Sequence, residues 1–247
     1  MMRLDLLLTV PEDSRLEVAD QTSVVIDVLR TGSSIVQAMA NGAQEIYPAV
    51  STEEAIKLAS SLGREDSMLC GASRYTMTEG FDIGNSPTEF TPERILGKRL
   101  VLSTTNGTRV FQFLEDSTSV LVCCLMNLGA VVEEVLESES LTIVCAGSEE
   151  GISLEDTICA GLFINRLSEE YKIDLILNDA GRLAKNAQEH FTIDKEFLAG
   201  TERGRKLREG GFEGDLDLCS QVDIYSVVPE MREKVVRLMQ KDSNGLA

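Results

Sequence analysis

At 247 residues with 43% apolar content, the chain is long enough to bury a large core, as one big domain or two modest ones. Lys plus Arg total 23 against 41 Asp plus Glu, a formal charge of -18, which makes nucleic acid and anionic membrane poor partners. The only histidine, His190, rules out a multi-histidine zinc site and leaves one imidazole for any nucleophilic triad.

The first element expected is a strand within Met1–Val10, whose apolar run is too short to span a bilayer and is interrupted by Asp5. Three later segments repeat one design: a β-rich run, a small polar loop and an amphipathic helix. The first runs through Val24–Ile26, the loop Asp27–Ser34 and helical spacing at Ile35, Ala38 and Met39, then a strand at Glu45–Val50. The second has Arg99–Leu102, the loop Ser103–Thr108 and Val110, Phe113 and Leu114, then a strand at Ser119–Leu125. Leu141–Cys145, Ala146–Ser153 and Ile158, Cys159, Leu162 and Phe163 form the third.

This alternation predicts an α/β fold, a three-layer sheet with helices on both faces. The first two units each continue into a strand, a capping residue and a helix, so two duplicated βαβ-type units are expected. They would form one compact catalytic domain over 1–247 with pseudo-repeat lobes at about 1–96 and 97–247. Recurrence of a common βαβ plan is the competing explanation. Residues 178–214 lose their β-rich runs and read as a helical excursion, and Met231, Val235, Leu238 and Met239 behind Pro229 share one face of an expected final helix. Six cysteines without a C-x-x-C pair suggest a reduced, cytoplasmic protein with buried thiols. The apolar content would serve a homo-oligomer interface or a monomer core equally.

The candidate chemistry lies in the polar loops. An apolar strand that stops at Asp27, Arg30 and Thr31 just before a helix delivers polar groups where helix N–H groups favour an anion. Asp27 reads as a helix cap or a partner for Arg30, or else as a metal ligand or nucleophile with Arg30 on a phosphate or sulfonate. The Ser103–Arg109 loop supplies donors for phosphate oxygens, or simply an N-cap and a turn. Ser153–Asp156 resembles a capping box, but after the small-residue loop at Cys145–Gly151 its Glu155 and Asp156 could hold a hard cation such as Mg²⁺. Gly80–Pro87 is a turn-rich loop in which Asp82, Asn85 and Ser86 are candidate binding residues. His190 is not expected to be a catalyst.

Taken together, these loops resemble those of the 2-phosphosulfolactate phosphatase family. The resemblance is carried by DVLRTGS at Asp27–Ser33, ANGA at Ala40–Ala43, GFDIGNSP at Gly80–Pro87, TTNGTR at Thr104–Arg109, CAG at Cys145–Gly147 and LEDTICAG at Leu154–Gly161. It weakens at Gly71–Tyr75 and after about residue 166. It implies an α/β, Mg²⁺-dependent phosphatase hydrolysing 2-phosphosulfolactate to 3-sulfolactate and phosphate, the partner being a small anionic phosphate ester. On that reading Asp27, Arg30 and Glu155 are catalytic, and Asp27, Glu155 and Asp156 hold the metal. Arg30, Thr31, Asn85, Ser103, Thr104, Thr105, Asn106, Gly107 and Gly147 bind substrate. Phosphatase action on another small 2-phospho-carboxylate, or a non-catalytic organophosphate- or sulfonate-binding module, is the alternative.

Overall fold

The computed structural model describes residues 1–11, 21–73, 76–104, 107–148 and 151–239. The strands are β1 (Met2–Leu7), β2 (Thr22–Ile26), β3 (Glu45–Ala49), β4 (Ser67–Ser73), β5 (Thr76–Met77), β6 (Arg99–Thr104), β7 (Ser119–Cys123), β8 (Ser140–Cys145), β9 (Leu175–Leu177), β10 (Pro229–Arg232) and β11 (Val235–Leu238). Among them run the helices α1 (Thr31–Ala40), α2 (Thr52–Leu62), α3 (Pro92–Ile95), α4 (Gly107–Phe113), α5 (Leu128–Glu134), α6 (Leu154–Asn165), α7 (Asp179–Gln188), α8 (Lys195–Gly200), α9 (Glu202–Glu209) and α10 (Glu213–Cys219). The expected α/β architecture is present.

All strands join one sheet in the order β5-β4-β6-β3-β11-β10-β7-β2-β8-β1-β9. Within it, β4-β6-β3 and β7-β2-β8-β1-β9 are parallel blocks. Three antiparallel junctions, β7 with β10, β10 with β11 and β11 with β3, separate the blocks, so the two run in opposite senses. The order β4-β6-β3 becomes β8-β2-β7 when β2, β3 and β4 are exchanged for β6, β7 and β8, and the hairpin lies between the two triplets. The two chain segments therefore interleave: β6 sits between β4 and β3, and β2 sits between β7 and β8.

Alternate residues of the buried strands face opposite layers, as the pleat requires. Val24, Ile26, Leu121, Cys123 and Ile143 pack against α5, α6, α7 and the segment α8–α10. Ala49, Leu69 and Val101 pack on α2. Facing the other way, Val25, Val122, Val144, Leu100 and Ile46 enclose the apolar sides of α1, α3 and α4. Helices thus cover both faces.

The expected final helix over 231–239 is instead the β10–β11 hairpin. Glu233 and Lys234 both adopt positive φ, 50° and 65°, the backbone of a two-residue hairpin turn with the twist its strands need. Met231 and Val236 pair and point into the core beside Val120 and Ile46, filling the gap between the blocks. Tertiary pairing here overrides a helical spacing of apolar residues.

Candidate active site

β2 is buried from Ser23 onward and leads directly into Asp27, which is only 1% exposed. One carboxylate oxygen, Oδ1, accepts the Thr31 N–H at 3.1 Å and caps the first turn of α1. The other, Oδ2, is buried and has no hydrogen-bond partner among the described residues. Such an oxygen is costly unless a ligand or cation meets it. Gly32 closes the turn, because a Cβ there would run into the Asp27 carbonyl oxygen. The Leu29–Arg30 peptide in this turn is cis.

Asp156 sits in the first turn of α6, whose cap is Ser153: the Ser153 hydroxyl accepts the Asp156 N–H at 3.2 Å. The carboxylate itself reaches outward. Its Oδ1 accepts the Val28 N–H at 2.8 Å and its Oδ2 accepts the Gly147 N–H at 3.2 Å, tying the loops after β2 and β8 together. Glu155, one residue earlier, is also buried. Burial pushes the Asp27 carboxyl above the usual carboxylate range; Arg203 opposes the shift and Glu155 adds to it. Asp156 is pushed well above that range by burial, then by Asp27 and Glu155, against the Val28 N–H and Arg203.

The third loop, after β6, arrives from the oppositely running block. The Thr31 and Thr104 hydroxyls lie 3.2 Å apart, one donating to the other. β2 and β6 stand five places apart in the sheet, so the contact with the end of β6 is made by the start of α1 rather than by β2 itself. Gly107 makes the approach possible, since a Cβ there would overlap the Thr31 side chain. Asn85 completes the cluster: its amide nitrogen donates to the Thr31 hydroxyl at 3.3 Å, while its carbonyl oxygen is buried without a partner among the described residues. Exchanging the amide's two ends would equally leave one polar atom for a ligand.

Three sequence-distant loops thus meet around Asp27 and Thr31. Thr105 and Asn106 lie outside the described residues. Ser103 is buried at the end of β6, and Gly147 holds its loop in a left-handed conformation at φ 69°.

Arg30 does not pair with Asp27. Its guanidinium donates to Asp215 Oδ2 at 2.7 Å, and its carbon lies 4.5 Å from the centroid of the Phe212 ring. Asp215 Oδ1 in turn accepts the Ser86 hydroxyl at 2.5 Å. Arg203 of α9 donates to the Leu29 carbonyl, and its charge acts on both Asp27 and Asp156. Asp215, Phe212 and Arg203 are additions that sequence reading missed. They come from the helical segment after residue 178, where the only signal was a charged stretch with no motif.

Among the described residues no three or more His, Cys, Asp or Glu side chains form a metal cage. No helix among them is long and apolar enough to cross a membrane. All six cysteines are free and buried.

Comparison with known proteins gives the family of the chain. The family described as 2-phosphosulpholactate phosphatase matches residues 8–234. A probable 2-phosphosulfolactate phosphatase of Thermotoga petrophila is 37% identical over 215 residues, covering 85% of this chain and 89% of its own. That of Clostridium acetobutylicum is 34% identical over 230 residues, covering 93% and 97%. A relative from Clostridium tetani, bearing the same description, is 31% identical over 237 residues, 96% of this chain and all of its own. The chain belongs to the 2-phosphosulfolactate phosphatase family, a family of phosphoric monoester hydrolases.

Proposed function

We propose that this chain is a Mg²⁺-dependent phosphatase that hydrolyses 2-phosphosulfolactate to 3-sulfolactate and inorganic phosphate. The observation that carries the reading is the Asp27 Oδ2 atom, a buried carboxylate oxygen with no hydrogen-bond partner among the described residues, at the meeting point of three donor-rich loops. Family membership supplies the reaction class.

The residues suit a weakly caged magnesium ion. Mg²⁺ usually keeps several waters and needs only one or two carboxylates plus phosphate oxygens, so a three-ligand protein cage is not required. Asp27, through Oδ2, and Glu155 are the groups that would hold it. Asp156, with both oxygens on backbone N–H groups, orients the two loops. When bound, the ion offsets phosphoryl charge and lowers the pKa of water.

The chain's own residues do the rest. Arg30 offers guanidinium donors, and Thr31, Ser103, Thr104, Asn85 and the 105–107 turn offer hydroxyl and amide donors to phosphoryl or sulfonate oxygens. Asp27 is the essential acid, as cation ligand or as the base that takes a proton from the attacking water. We place the enzyme in the cytoplasm, where six buried free thiols stay reduced. We also read the symmetrical strand order as the trace of a duplication, with the site built where the two units meet.

Phosphate release from 2-phosphosulfolactate, phospholactate and phosphoglycolate, with Mg²⁺ and with EDTA, tests the proposal. Fastest release from 2-phosphosulfolactate, abolished by EDTA and restored by Mg²⁺, is expected. Preference for another ester would change the substrate alone, whereas saturable binding without release would make the chain a binding module.

A further inference from the structure

The helical segment α8–α10 reaches the site through Arg203, through Phe212 and through one buried carboxylate, Asp215. The Asp215 side chain is 1% exposed and that of Arg30 4% exposed. Asp215 is held on both oxygens: Oδ2 by Arg30 at 2.7 Å, Oδ1 by the Ser86 hydroxyl at 2.5 Å and by the Thr88 hydroxyl at 3.3 Å. Arg30 is held at one terminal nitrogen by Asp215 and across one face by Phe212. No other side-chain hydrogen bond joins Arg30 to the described residues. A nearly buried guanidinium with most of its donors unspent is a fork prepared for an oxyanion.

We propose that Asp215 is a positioning residue, which fixes Arg30 so that its unspent donors face an oxyanion of the substrate. Ser86 and Phe212 hold the geometry from either side. The inference rests on Arg30 being the anion-binding residue proposed above.

A competing role makes the opposite prediction. If Asp215 only neutralises Arg30, then Asp215→Asn removes a negative charge from beside the guanidinium and anions bind more tightly. If Asp215 positions Arg30, the same substitution loosens the fork and anions bind more weakly. Ser86→Ala separates the two roles further, because it changes no charge and removes only the hydroxyl that anchors Asp215.

The experiment measures binding of inorganic phosphate by calorimetry, together with kcat and KM for phosphate release. The proteins are wild type, Asp215→Asn, Ser86→Ala, Arg30→Gln and the Arg30→Gln/Asp215→Asn double variant. The expected result is phosphate affinity about tenfold weaker in Asp215→Asn and a few-fold weaker in Ser86→Ala, with KM rising more than kcat falls. The double variant should bind no worse than Arg30→Gln alone, the signature of two residues acting as one unit. Unchanged or tighter phosphate in Asp215→Asn overturns the proposal, as does unchanged binding in Ser86→Ala if Asp215→Asn fails to fold. Wild-type affinity in Arg30→Gln removes the anion-binding role of Arg30 and the proposal with it. Absence of phosphate release from the wild type would instead reject the phosphatase reading while leaving the binding comparison intact.

Discussion

The Thr31 hydroxyl, at the start of the helix that follows β2, lies 3.2 Å from that of Thr104 at the end of β6, although β2 and β6 belong to parallel blocks that run in opposite senses. This contact joins the loop after β2 to the loop after β6, and Gly107 leaves the room for it. Gly107→Ala should therefore push Thr31 out of register with Asp27 and Asn85. KM is expected to rise by about tenfold or more, with a loss of stability of about 1–3 kcal/mol from overpacking. Steady-state kinetics and urea denaturation check both parts.

Asp27→Asn separates stability from activity. The buried carboxyl is raised above its ordinary pKa of about 3.9, so the folded state binds more protons than the unfolded one as pH rises through that shifted range. Stability from this group is present in acid and is lost as pH climbs through the shifted range. The amide avoids that loss and keeps an oxygen for the Thr31 N–H. Metal-free Asp27→Asn should thus be more stable than wild type near pH 8, by on the order of 1 kcal/mol, and inactive. Added Mg²⁺ should raise the melting temperature of wild type more at pH 8 than at pH 5, and do little for the variant.

Arg203 lowers the carboxyl pKa values of Asp27 and Asp156 by its nearby charge. Removing that charge in Arg203→Gln raises both further, so the acidic limb of the kcat/KM profile is expected to move to higher pH. Arg203→Lys keeps the charge and should leave the limb closer to wild type. A pH profile from 5 to 9 decides the matter.

The strands β1, β2, β3, β6, β7 and β8 were legible because buried parallel strands read as apolar runs such as Val24–Ile26 and Leu141–Cys145, whereas β4, β5 and β9 were not foreseen. Their polar ends, Asp27, Thr104 and the Ser153–Asp156 cap, were legible for the same reason. The β10–β11 hairpin was not, because Glu233-Lys234 takes the positive-φ turn without the Asn-Gly signal that usually marks it. Nor were Asp215 and Arg203: each sits on a short polar helix whose local pattern suggests a solvated surface, and only long-range packing brings them beside Arg30 and Leu29.

Gly161 marks a close approach of α6 to α7, where a Cβ would overlap the Ala184 carbonyl oxygen. Gly161→Ala should cost about 1–3 kcal/mol, read from the denaturation midpoint, with catalysis impaired only through displacement of Asp156 at the far end of α6.

The six cysteines should be silent toward thiol reagents in the native protein. Burial raises the Cys219 thiol to about 12 and shifts Cys123, Cys145 and Cys159 upward as well. The thiolate is the reactive form, so labelling is expected only at the rate of unfolding and should report that rate directly.

Residues 229–238 come after every other strand in chain order yet occupy the middle of the sheet. During synthesis the flanking blocks must wait, each with an open edge at β3 or β7, until this ribbon leaves the ribosome and slots between them. A premature stop before Pro229 would thus remove the keystone rather than trim a tail, leaving two unmated edges prone to pair with those of other chains.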